Sequence, residues 1–273
     1  MYDVNFLIQN GVDVDKSLEL FGDMETYNET IGEFLISAKE KKSKLELYKN
    51  EKDMPNYAIY VHSLKSDARY FGFTRLAELA YNQELKSKAG DISYICEHYQ
   101  ELIDEVNKSL DIVKKYVDPS YRTTSTQAPT VEKAELISSG EVYNTKTILV
   151  VDDSNIVRNF VKRIFNTTYN VGVAENGEEA ISIINSNKDN DNIVAVLLDL
   201  NMPVVDGFAV LDFMKKNNLF LKIPVSIISG DSSKETIDRA FTYQIVDMLG
   251  KPFNENDVKR VVERTLYFKE MNQ

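Results

Sequence analysis

Up to residue 117 apolar residues recur at intervals of three and four, whereas after residue 146 short, unbroken apolar runs alternate with amphipathic stretches. The first spacing lines one face of a helix, and the second marks strands buried on both faces. The N-terminal pattern predicts helices at about Asp15–Phe21, Met24–Lys49, Asn56–Tyr70, Thr74–Ala89 and Ile92–Val117. Gly90-Asp91 supplies a stop followed by an N-cap, and Phe71-Gly72-Phe73 punctuates the middle pair. In the last helix Ile92, Ile95, Tyr99, Leu102, Val106, Leu110 and Val113 share one face, as packing in a four-helix bundle requires. Residues 1–117 therefore read as an all-α bundle, 118–145 as a linker and 146–273 as an α/β unit.

In the α/β unit the strands must lie parallel with right-handed crossovers, so their carboxyl ends gather on one edge of a doubly wound sheet. Each apolar run ends in a polar group: Asp152-Asp153 after Ile148–Val151, Asp199 after Ile193–Leu198, Ser229 after Pro224–Ile228, and Lys251 after Leu249-Gly250. Carboxylates collected at one edge repel unless a hard cation such as Mg²⁺ joins them, and the lysine and hydroxyl remain for an anion. Gly230 leaves space for a donor to approach. The linker from Asp118-Pro119-Ser120 to Tyr143 is rich in Ser, Thr and Pro, with one or two helical turns expected at Val131–Ile137. As a flexible chain it would span about 29 Å and hold the two halves at an effective concentration of order millimolar.

The residue set at the sheet edge resembles the receiver domain of two-component signalling. That family carries an acidic pair, an aspartate followed by x-x-Met-Pro-x-x-Asp-Gly, a Ser or Thr, and a Lys-Pro. All four occur here in order, between Lys146 and about Lys269, with Asp199 followed by Leu200-Asn201-Met202-Pro203-Val204-Val205-Asp206-Gly207. The resemblance implies a flavodoxin-like five-stranded sheet of order 2-1-3-4-5. It implies that Asp199 accepts a phosphoryl group, that Asp153 and Asp199 ligate Mg²⁺ with the Asn201 carbonyl, and that Asp152 assists through water. Ser229 and Lys251 would contact the phosphoryl oxygens. In-line attack by a carboxylate on phosphorus needs its charge neutralised, which a metal ion and a lysine do. Where the family has a switching aromatic residue this chain has Met248, a flexible thioether able to fill vacated space.

In the bundle, the segment Tyr60–Phe73 places His62, Lys65, Ser66 and Arg69 on one helix stripe, with Leu64, Ala68 and Phe71 on the core side. The stripe predicts an exposed imidazole beside cations, with Lys65 able to pair with phosphoryl oxygens. The segment resembles the histidine-phosphotransfer (HPt) domain, whose hallmark is His-x-Leu-Lys-Gly-x-Ala followed by a Gly and a hydrophobic residue. His62, Leu64, Lys65, Ala68 and Gly72 match, whereas the family's glycine is Ser66 here and Asp67 adds a negative charge. The resemblance, over roughly Asn10 to Val117, implies that His62 carries a phosphoryl group. His98 reads as structural or solvent-exposed, Cys96 as a small packing residue, and Lys39–Lys44 as a solvated helix face.

The formal charge of −11, from 43 acids and 32 bases, argues against a nucleic-acid-binding face. One cysteine permits no internal disulfide, the start Met1-Tyr2-Asp3 lacks a signal-peptide pattern, and no apolar stretch approaches the roughly 20 residues that span a bilayer. A cytoplasmic protein is expected. Neither half has the Gly-rich ATP-binding region of a sensor kinase or a phosphate-binding Gly-x-x-x-x-Gly-Lys loop. The chain thus reads as a phosphorelay carrier and not a kinase, charged by a sensor histidine kinase or by other receiver or HPt proteins. Asn201 and Asp231, each two residues past a site residue, are candidates for orienting a hydrolytic water. An alternative is a phosphorylation-dependent adaptor with an active receiver and a bundle that only docks, supported by Ser66, Asp67 and Met248. A haloacid-dehalogenase-like phosphatase would need Asp-x-Asp, where this chain has Asp199-Leu200-Asn201.

Overall fold

Aspartate carboxylates start most helices of the N-terminal half, each taking the N–H three residues on. Asp3 caps α1 (Val4–Gln9), Asp13 caps α2 (Val14–Phe21), Asp23 caps α3 (Met24–Glu51), Asp53 caps α4 (Met54–Tyr70), and Asp91 caps α6 (Ile92–Val117). The structure, a computed structural model, describes residues 2–118 and 146–272. The expected linker, with its helical turns at Val131–Ile137, lies outside the described residues apart from Asp118. α5 (Thr74–Lys88) has no side-chain cap. Its entry is set by Gly72, whose φ of +74° suits glycine and whose N–H and C=O lie in a turn pinned to α2 by Asp13 N–H donating to Gly72 O at 2.9 Å. A Cβ there would stand 2.3 Å from the Asp13 carbonyl oxygen.

α3, α4, α5 and α6 pack around one another as a four-helix bundle, with Phe34, Tyr57, Val61, Leu64, Leu76, Ile95 and Val106 fully enclosed. Pattern and structure differ at the helix ends. α3 runs on to Glu51 and α4 begins at Met54, because Asp53 caps it and Pro55 sits in its first turn. α1 went unpredicted: six residues with one buried side chain, Leu7, show no period.

The second half forms a five-stranded parallel sheet of order β2-β1-β3-β4-β5. Its strands are β1 (Thr147–Val151), β2 (Asn170–Ala174), β3 (Ile193–Leu198), β4 (Val225–Ser229) and β5 (Met248–Gly250). The helices between and after them are α7 (Asn155–Phe165), α8 (Gly177–Asn187), α9 (Gly207–Lys216), α10 (Lys234–Ala240) and α11 (Glu255–Met271). Side chains alternate between the sheet's faces. Ile148 and Val150 pack with α7 and α11, while Leu149 and Val151 pack with α8 and α9.

The apolar layer under α7 and α11 continues into the bundle core. Phe21 meets Phe160 edge to face at 6.0 Å, and Tyr70 meets Phe253 likewise at 5.9 Å. These four rings are at most 5% exposed, so the halves share a dry seam. Among the described residues no helix is long and apolar enough to cross a membrane.

Candidate functional site

Strand register assembles the sheet-edge cluster. Val151 pairs with Leu198, so Asp152 and Asp199 emerge side by side, and Ser229 pairs with Gly250, which brings Lys251 beside them. Main-chain bonds hold the three exits: Asp199 N–H donates to Val151 O at 2.8 Å, Asp152 N–H to Ala174 O at 3.1 Å, and Lys251 N–H to Ser229 O at 2.8 Å. The Lys251 ammonium sits 2.6 Å from both Asp152 Oδ2 and Asp199 Oδ2. Asp199 Oδ1 accepts from Asn201 N–H at 3.1 Å, and Asp152 Oδ1 from Ser154 N–H at 3.0 Å.

Burial pushes the Asp152 carboxyl up to about 7, against the pull of Lys251 and with the push of Asp199 and Asp153. Burial would lower the Lys251 ammonium, but Asp152 and Asp199 hold it well above the ordinary lysine range. Asp152, Asp153 and Asp199 each offer an oxygen within 4.8 Å of the others. All-oxygen donors around surplus negative charge fit a hard divalent cation such as Mg²⁺. Ser229 is buried at the same edge, where its Oγ accepts from Asp231 N–H at 3.1 Å.

On the bundle side, His62 Nδ1 lies 2.7 Å from Glu84 Oε1. A carboxylate can only accept, so the Nδ1 that faces it carries a proton, and in the neutral imidazole the lone pair is then on Nε2. Lys65 Nζ lies 3.3 Å from the same Nδ1. Glu84 also takes Lys65 at 2.6 Å and Lys88 at 2.8 Å, and Lys88 reaches Asp231 of the receiver side at 3.7 Å. Burial would raise the Glu84 carboxyl, but the His62 hydrogen bond and the Lys65 ammonium hold it well below the usual carboxylate range. Burial lowers the Lys65 ammonium, with Glu84 opposing.

The predicted stripe is not open to solvent. His62 is 3% exposed, with Lys65 and Ser66 also buried. The cover comes from the receiver side: a Cβ added at Gly230 would lie 2.8 Å from His62 Nε2 and 3.0 Å from its Cε1. Nε2 is thus buried, without a protein partner, and aimed at the residue after Ser229. A cavity of about 450 Å³ runs past it, walled by Met54, Ala58 and Ile59 and reaching Lys88 and Asn201. Arg69, expected in the stripe, is only half-buried and lies by a separate cavity with Lys16 and Tyr81.

Other expectations also change. Lys41, expected in solvent, is buried against Asp67, which is itself fully enclosed and also bonded to Ser37. Cys96, expected as a small packing residue, is exposed. His98 keeps its expected structural place, half-buried and stacked on Tyr94 at 4.0 Å. Asn201 reaches the cavity, while Asp231 is committed to Ser233, Thr236 and Lys88. Glu84, Lys88 and Ser154 carry no motif, and the only signal for the first two is their i,i+4 spacing on one helix.

Residues 148–263 match the response regulator receiver domain and residues 20–111 match the Hpt domain. A relative in Methanothrix harundinacea (strain 6Ac), named Probable methanogenesis regulatory protein FilR2, is 30% identical over 135 residues, covering 46% of this chain and 87% of the relative. This chain belongs to the two-component phosphorelay proteins. Within that family the receiver half of this phosphorelay protein is also 28% identical over 120 residues to the two-component response regulator ORR3 of Oryza sativa subsp. indica, covering 44% of this chain and 89% of the relative. The receiver domain of the Francisella response regulator 1452 is similar at 28% identity, with a TM-score of 0.41, over 47% of this chain and 99% of that one.

Proposed function

We propose that the chain is a two-station phosphoryl carrier, with His62 Nε2 as one station and an Asp199 carboxylate oxygen as the other. The observation that supports this best is the buried, unpartnered His62 Nε2 facing Gly230, at the sheet edge that holds Asp199, Ser229 and Lys251. In the transfer the Nε2–P bond breaks and an Asp199 O–P bond forms. The electron pair of the broken bond stays on Nε2, and the Nδ1 proton stays in its bond to Glu84, so the imidazole leaves neutral and no proton need move. Lys65, Lys88 and Lys251 are the cations near the transferring charge, and Ser229 Oγ is placed to donate to it.

Asp152, Asp153 and Asp199, with the Asn201 carbonyl, would hold Mg²⁺. When bound, that ion supplies charge neutralisation at the phosphoryl oxygens. Lys251 meanwhile keeps the acceptor carboxylate and Asp152 apart from direct repulsion. The chain acts as a carrier and not an ATP-dependent kinase. Its phosphoryl groups come from a sensor histidine kinase or another receiver or HPt protein, in the cytoplasm where ATP charges such donors.

The test supplies a phosphorylated donor with Mg²⁺ and compares wild type, His62→Ala and Asp199→Ala for acid-labile and base-labile label. Phosphohistidine is lost in acid and acyl phosphate in base. His62→Ala should lose the acid-labile fraction and Asp199→Ala the base-labile one. Base-labile label alone in wild type, with nothing ever on His62, would favour the adaptor reading instead.

A further inference from the structure

The seam between the halves carries features that neither half needs for its own fold. The three atoms nearest a Cβ at Gly230 all belong to the His62 ring, and the backbone there has no positive φ that would reserve it for glycine. Asp67, fully enclosed, takes two donors from its own bundle, Ser37 and Lys41, and a third from the receiver side, Ser154 Oγ at 2.8 Å. Phe253 N–H donates to Tyr70 Oη at 3.4 Å beside the ring contact. At the rim Asn159 donates to Glu33 at 3.1 Å, and Lys88 faces Asp231.

We infer that the receiver half is the cognate partner of the bundle in its own chain, selected by Gly230 and Ser154, and that the phosphoryl group passes within one chain. This rests on the relay reading above. Any side chain at the Gly230 position would strike the imidazole, and a residue without a hydroxyl at the Ser154 position would leave the Asp67 carboxylate one donor short in a dry seam. A foreign receiver must satisfy both demands while competing with one joined to the same chain. Docked, the receiver's Gly230 lies over His62 Nε2, so an outside protein donor or acceptor reaches the imidazole only when the seam opens.

Docking and transfer are tested separately on the full chain. Gly230→Leu should strike His62 and part the seam, raising amide hydrogen exchange in α7 at least about tenfold while β1 and β3 stay protected. Adding His62→Ala removes the ring and should restore α7 protection. Ser154→Ala should weaken docking by about tenfold in the same measurement. α7 exchange unchanged in Gly230→Leu overturns the docking. For transfer, chains labelled by phosphoramidate with Mg²⁺ should exchange label between His62 and Asp199 at a rate independent of dilution over about two decades. A rate proportional to concentration, or label passing readily from Asp199→Ala chains to His62→Ala chains, overturns transfer within the chain. Absence of label from His62 with α7 protection intact sinks the relay reading, and transfer with it, but leaves the docking in place.

Discussion

Glu84 Oε1 lies 2.7 Å from His62 Nδ1 across two helices of the bundle, and this one contact decides which imidazole nitrogen is free to react. α5 carries the acid and α4 the histidine, so the pairing depends on how those helices pack. Glu84→Gln keeps the shape, but its amide can donate as well as accept, which releases the tautomer. Transfer through His62 should slow by about tenfold or more, the scale seen when an orienting partner is removed. Imidazole ¹⁵N spectra should show a single Nδ1-protonated tautomer in the wild type and a mixture in the variant. Unchanged spectra with slowed transfer would assign Glu84 a different role.

The same carboxylate sets an acid limit on the bundle. Its folded pKa is held below the ordinary glutamate value of 4.5, so the unfolded chain binds a proton more readily than the folded one. The stabilisation is therefore complete above about pH 5 and drains away as pH falls through the folded value. Urea midpoints measured from about pH 6 down to pH 3 should fall for the wild type and fall less for Glu84→Gln. A variant curve parallel to the wild type would remove Glu84 as the cause.

Lys251 holds two buried carboxylates together, and its removal leaves them facing one another. Lys251→Met should cost about 3–5 kcal/mol, the range for breaking a buried pair from one side. The loss should shrink at acid pH as Asp152, already pushed up to about 7, takes a proton. Chemical denaturation at two pH values checks this, and an equal loss at both would mean that packing and not charge accounts for it.

The receiver site was legible in the sequence because parallel strands deliver their carboxyl ends to one edge, so Asp152, Asp199, Ser229 and Lys251 needed only their position after apolar runs. His62 was legible through its helical stripe with Lys65, Ser66 and Arg69 and through the resemblance of its segment to the HPt motif. What the pattern missed depends on packing between elements distant in the chain. The i,i+3,i+4 stripe of His62, Lys65 and Ser66 looks solvent-facing on its own helix, and the receiver's Gly230, set against the His62 ring, reveals it as an interface. Lys41 misled in the same way, since its buried partner Asp67 lies 26 residues away on another helix. Periodicity tells which side of a helix is polar, not whether that side meets water.

The oxygen cluster of Asp152, Asp153 and Asp199 makes a prediction free of any phosphoryl chemistry. A cation that binds only the folded chain stabilises it by about 2.7 kcal/mol at a hundredfold excess over its dissociation constant. Mg²⁺ titrated into the wild type should therefore raise the melting temperature by several degrees, and K⁺ at matched ionic strength should not. Asp153 is the half-buried member of the three and does not pair with Lys251, so Asp153→Asn removes a donor with little disturbance of the core. That variant should melt near the wild-type value without Mg²⁺ and lose most of the Mg²⁺-dependent rise. A full rise in Asp153→Asn would place the ion elsewhere, whereas no rise in the wild type would mean that Lys251 already satisfies the two buried acids.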